Sequence, residues 1–134
     1  MMKGLAGIYI LGTFIFLLVQ KVFMTRLTIT ADNHYTLNMV YKDESGYAIN
    51  LDGATAKFVM RRSMYTPVLI NRSAEITGGT GEISIKLTPA DTVDLLDNVI
   101  EEQFVFGVSL TQADGTKTII TSGEVSLQQN IARD

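Results

Sequence analysis

The side chains that could do chemistry here are few. His34 is the sole histidine and there is no cysteine, so the chain alone can build neither a two-histidine metal site nor a thiolate site. A lone histidine beside Tyr35, at the start of a strand pattern, reads as a surface residue rather than a general base. Asp91, Asp94 and Asp97 recur at every third position with Glu101 and Glu102 beyond them. Hard cations favour such carboxylates, but the loop spacing of a calcium site is missing, and the set reads as a solvated face. Gly78-Gly79-Thr80-Gly81 has the composition of a phosphate cradle. No Lys-Ser or Lys-Thr follows and the next element is a strand pattern, so it reads as a turn.

Two further motifs concern surfaces. Asn71-Arg72-Ser73 fits the N-glycosylation pattern, which carries weight only in a secreted eukaryotic chain. Arg61-Arg62 with Met64 and Tyr65 is a candidate contact patch for a partner, set against the plainer reading of a solvated strand end. With no Gly-x-Ser-x-Gly elbow either, no residue is assigned a catalytic, cofactor-binding or metal-binding role. The expectation is a protein that is not an enzyme.

The elements that would position these residues are strands. From 102 to 127, Phe104, Phe106, Val108 and Leu110 alternate with smaller or polar residues; Asp114-Gly115 supplies a turn, and alternation resumes from Lys117. A turn centred there pairs Leu110 with Ile119, Val108 with Thr121, Phe106 with Gly123 and Phe104 with Val125, giving a ribbon with one apolar face. A one-residue slip would put the two phenylalanines on the wrong side. A glycine at 123 leaves room for an aromatic ring across the ribbon; a bulge at Ser122-Gly123 is the alternative.

Upstream, residues 27–30 form a short strand candidate. Tyr35, Leu37, Met39 and Tyr41 alternate as a half-buried strand, and residues 43–46 read as a turn. Ala54, Ala56, Phe58 and Met60 face inward, Thr55, Lys57, Val59 and Arg61 outward. Residues 68–70 are a short strand candidate, and Ile83, Ile85 and Leu87 alternate cleanly. Thr88-Pro89-Ala90-Asp91 is a helix start, and Val93, Leu96 and Ile100 at helical spacing predict about two turns. Short strands with one short helix predict a small antiparallel β-sandwich of about seven strands.

The 134 residues suit one domain. Residues 4–19 are uncharged, between Lys3 and Lys21, and a membrane-spanning helix needs about 20 apolar residues. Three readings stand for residues 1–23: an upstream extension from a mis-called start, a signal anchor, or a signal peptide lacking a small-residue cleavage site. The domain is then 24–134. Net charge is -3; the two lysines are the only charges before residue 24, leaving -5 on the body. An acidic body argues against nucleic-acid binding, and membrane contact is expected only if residues 4–19 form a real anchor.

Three stretches together carry a family likeness: Tyr35-Thr36-Leu37-Asn38-Met39 through Leu51-Asp52-Gly53-Ala54 to Arg61; Gly81-Glu82-Ile83-Ser84-Ile85-Lys86-Leu87-Thr88-Pro89; and Phe106-Gly107-Val108 through Asp114-Gly115-Thr116 to Gly123-Glu124-Val125. Across about 27–127 the chain resembles small tail-associated proteins of bacteriophages and prophages. It is similar also to the amino-terminal domain of phage baseplate upper proteins. The resemblance implies an immunoglobulin-like sandwich acting as a structural or adaptor part of a tail or baseplate in the virion. It implies no catalytic residues. Long strands with free edges are a hazard in a monomer and a resource in an assembly, so contacts with other tail proteins and self-association are expected. The apolar head departs from the family's pattern. The rival expectation is a membrane-anchored or exported cell-surface binding domain tethered by residues 4–19.

Overall fold

The computed structural model describes residues 8–11, 14–18, 24–43 and 45–132. In chain order the strands are β1 (Ile8–Leu11), β2 (Phe14–Leu18), β3 (Met24–Thr30), β4 (Tyr35–Lys42), β5 (Thr55–Arg61), β6 (Val68–Ser73), β7 (Glu75–Thr77), β8 (Glu82–Leu87), β9 (Glu101–Thr111) and β10 (Lys117–Gln128). One turn of helix, α1 (Pro89–Thr92), lies between β8 and β9.

Two five-stranded sheets result, ordered β1-β2-β4-β8-β7 and β3-β10-β9-β5-β6. In β4, β5, β8 and β9 predicted inward residues make the common core, with Leu37, Met39, Phe58, Met60, Ile83, Ile85, Phe104 and Val108 all almost wholly buried. From β3 onward the strand order is that of an immunoglobulin-like sandwich. Its second, fifth and sixth strands form one sheet, and the third, fourth, seventh and eighth form the other, with the first strand lying beside the last.

That first strand departs from the all-antiparallel expectation. β3 runs parallel to β10, with Thr25 opposite Gly123 and Leu27 opposite Val125. The buried hydroxyls of Thr25 and Thr121 lie 3.3 Å apart and share a hydrogen bond, which satisfies both polar atoms inside the core. Parallel pairing lets Leu27 and Ile29 enter the same core as Val125 and Leu127.

The terminal ribbon has the expected turn: Gly115 has φ 92°, and Gln112 donates its N–H to Thr116 O at 2.8 Å. Val108 opposite Thr121, Phe106 opposite Gly123 and Phe104 opposite Val125 are as predicted. Leu110 instead faces Thr118, because a bulge lies between Ile119 and Thr121. Ile120 turns inward and Ile119 is 52% exposed, against expectation. The extra residue restores the predicted pairing further on.

The head also differs from its helical reading. Residues 8–11 and 14–18 form an antiparallel pair of strands, and β2 runs parallel along β4. Ile8, Tyr9, Ile10, Phe14, Ile15 and Phe16 are β-branched or aromatic, types that favour strands, and the edge of β4 offers backbone partners. The break at 23/24 and the processing of the head fall on residues outside those described.

The predicted two-turn helix is cut to one. Thr88 and Pro89 start α1 as expected, but the helix stops at Thr92. Leu96 is buried while Ile100 is 81% exposed. Asp94, Asp97 and Asn98 are short polar types that favour turns over helix interiors, and Asn98 adopts φ 55°. Asp91 fixes the start: its carboxylate accepts the Thr88 N–H at 2.7 Å and two bonds from Arg72 of β6, at 2.8 and 3.1 Å.

Partial burial raises the Asp91 pKa, but the hydrogen bonds and charge of Arg72, with those of Thr88, outweigh it and hold the carboxyl below its ordinary 3.8. Asp91→Ala is expected to cost about 1 to 2 kcal/mol, mostly from the lost cap, because Arg72 is exposed enough for solvent to screen the ion pair. A pKa depressed by folding contributes stability that is present above its unfolded value and lost as pH falls through the folded one. The melting difference between wild type and variant should therefore shrink in acid. An unchanged difference would show that the ionised carboxylate is not what matters.

Candidate functional site: the outer face of the second sheet

The residues singled out for chemistry do not converge. His34 is exposed after the turn that joins β3 to β4, and Asp94 and Asp97 are exposed beyond α1. Asp91 is engaged by Arg72. Glu102 pairs with Arg62, and Glu101 accepts from the Ser126 hydroxyl. Among the described residues no three histidine or acidic side chains are grouped to hold a metal ion. The glycine turn is a tight 3-10 turn whose backbone is engaged by its neighbours: Gly78 O accepts from Leu51 N at 2.7 Å and Gly81 O from Tyr41 N at 2.9 Å. Asn71 is exposed on β6.

The suggested patch at Arg61, Arg62, Met64 and Tyr65 divides. Arg62 packs at the end of the sandwich, its guanidinium 5.2 Å from the centre of the Phe104 ring, and donates to Leu95 O at 3.0 Å. That arrangement is structural. Arg61 and Met64 belong elsewhere. Together with Val59, Val105, Gly107, Ser109, Ile119 and Ser122 they line a shallow, largely apolar depression of about 760 Å³ on the outer face of β10-β9-β5.

Strand registers explain why it forms. Side chains of alternate residues point outward, so pairing places Lys57, Ser109 and Ile119 in one row, Val59, Gly107 and Ser122 in the next, and Arg61, Val105 and Glu124 in a third. Gly107, at the centre of the middle row, leaves the floor low: a Cβ built there would meet nothing nearer than Thr121 O at 4.0 Å. The bulge brings Ile119 into the wall. Met64 is 73% exposed and Tyr65 97% exposed on the β5–β6 loop above it.

The rim is charged. Glu124 pairs with Arg26 at 3.1 Å, and Arg61 donates to Thr66 O at 2.9 Å. An exposed apolar floor with a charged rim has the make-up of a surface that can take a protein, a membrane or a ligand. Sequence reasoning found Arg61 and Met64 but missed Val59, Val105, Gly107 and Ile119. The signal present was the outward alternation of Val59 and Val105, apolar where a solvated face is usually polar.

No protein-family model and no curated protein matches the sequence. Among solved structures, the chain is similar to the N-terminal domain of phage TP901-1 ORF48, over 87% of this chain and 96% of that one, with 16% identity and a TM-score of 0.45. It is also similar to murine CRIg, over 78% and 92% of the two chains, at 12% identity and a TM-score of 0.37. A third likeness is to the bradyzoite-specific antigen BSR4 of Toxoplasma gondii, covering 92% of this chain and 51% of that one, at 10% identity and a TM-score of 0.38.

Proposed function

We propose that this chain is a structural or adaptor protein of a bacteriophage tail or baseplate, resident in the virion and working through protein contacts rather than catalysis. The observation that carries the contact role is the apolar depression floored by Val59, Val105 and Gly107, with Ile119 exposed in its wall. A soluble monomer gains nothing from such a surface, whereas an assembly can bury it. The tail assignment is supported by the three resembling stretches, which lie in order along residues 35–125. The domain that does the work is residues 24–134, its partners are other tail or baseplate proteins and further copies of itself, and it takes no cofactor. The acidic body supports a role away from nucleic acid.

The test is direct. Peptides of this chain are expected, by mass spectrometry, in purified particles of the phage whose genome encodes it, and antibodies against it should label tails in electron micrographs. Absence from intact particles sinks the assignment. Co-fractionation with host membranes in its place would substitute the cell-surface reading.

A further inference from the structure

We propose that the depression is filled by the same face of a second copy, the two copies being related by a two-fold axis that runs along β9. This rests on the reading of that face as a docking surface and names its occupant.

The argument is from charge and symmetry. β9 is the middle strand of its sheet, with β10 on one side and β5 on the other. A two-fold axis along β9, lying between facing sheets, exchanges the positions of β5 and β10. Arg61 and Glu124 flank Val105 in a single cross-strand row. Arg61 of one copy then lies over Glu124 of the other, and the contact occurs twice. Lys57, at the other end of the depression, lies over Ile119, where its aliphatic stem can cover the exposed side chain while the ammonium stays in water.

Residues on the axis meet themselves, so a charge there would oppose its own copy. Val105, Gly107 and Ser109 occupy the axis, and none is charged. The next acidic residue along β9 on this face is Glu101, outside the depression and bonded to Ser126. Low relief at Gly107 allows the facing sheets to approach the roughly 10 Å separation of packed sheets. At that distance an arginine and a glutamate reaching from opposite sides can meet. Glu124 would then sit between its own Arg26 and the second copy's arginine, as the centre of a charge row.

Sedimentation of the full chain over a range of concentrations tests this. The wild type is expected to form dimers. Arg61→Glu and Glu124→Arg, each alone, set like charges across both contacts and should weaken association about tenfold or more. Mixed one to one, they place opposite charges across both contacts, and the mixture should dimerise about as well as the wild type. Gly107→Arg should abolish dimers while leaving the circular dichroism spectrum and melting temperature unchanged, since its Cβ has room.

A wild type that stays monomeric overturns the proposal, as does a mixture no better associated than either variant. Association indifferent to all three substitutions, as contacts through residues 1–23 would be, overturns it too. A monomer found in particles defeats the pairing alone; a dimer absent from particles defeats the tail assignment alone.

Discussion

Gly123→Ala is expected to be the most damaging single-methyl change in the chain, costing about 3 kcal/mol or more and detaching β3 from its sheet. A Cβ at this position would lie 1.8 Å from Thr25 O, 2.6 Å from Thr25 N and 2.7 Å from Thr25 C. All three are backbone atoms, so no rotamer change can relieve the overlap. Among the described residues β3 is an edge strand whose one sheet neighbour is β10. The cheapest response is to move it away, which breaks the pairing and exposes Leu27 and Ile29, now 5% and 0% accessible. The measurement is a thermal melt together with hydrogen exchange at the β3 amides, with Gly107→Ala as the control. The variant should melt far below the control and lose protection first along β3. Melting within a degree or two of the control would refute the close-approach argument.

Phe58→Ala should cost a similar amount, about 4 kcal/mol and roughly 15 °C in melting temperature. Phe58 is 1% exposed at the centre of β5, and its ring stacks on Phe106 with centroids 5.7 Å apart and planes 20° from parallel. Removing it opens a cavity between two sheets that are each tied by backbone hydrogen bonds and cannot collapse inward freely. Phe58→Leu, which keeps most of the volume, should recover much of the loss. Equal effects from both substitutions would show that the ring itself, rather than filled space, supports the core.

The inward faces were legible because each depends on a local alternation that only one parity satisfies. Phe104, Phe106 and Val108 cannot be turned outward without burying Gln103, Val105 and Gly107, and so the far end of the β9–β10 ribbon reads correctly. Near its turn the reading fails at Ile119-Ile120. Two adjacent isoleucines satisfy either parity, so the apolar pattern cannot choose between a continuous ladder and a bulge. Glycine at 123 was legible as a place of close approach. Its neighbour was not: the group that presses on it is the backbone of Thr25, almost a hundred residues away, and alternation carries no information on which strand arrives there. The same limit hid the parallel pairing of β3. Past Thr92 a helical spacing of Val93, Leu96 and Ile100 competes with aspartates and an asparagine, types that disfavour helix interiors, and Asn98 takes a left-handed conformation at φ 55° instead of continuing the helix. The outer depression has no linear motif. Its residues sit on three strands and a loop, and they become one surface only through register.

The direction of β3 carries a mechanical meaning. Its seven register pairs with β10 run from Met24 beside Ser122 to Thr30 beside Gln128. The polypeptide therefore enters this ribbon at one end and leaves at the other, roughly 20 Å away by strand rise. Tension applied at Met24 and Gln128 would strain all seven pairs together in shear, instead of peeling them apart one by one as at the mouth of a hairpin. Inserted between two anchoring points, the sandwich behaves as a link in series, and the edge strand most sensitive to a methyl group at Gly123 is also the one that bears the load.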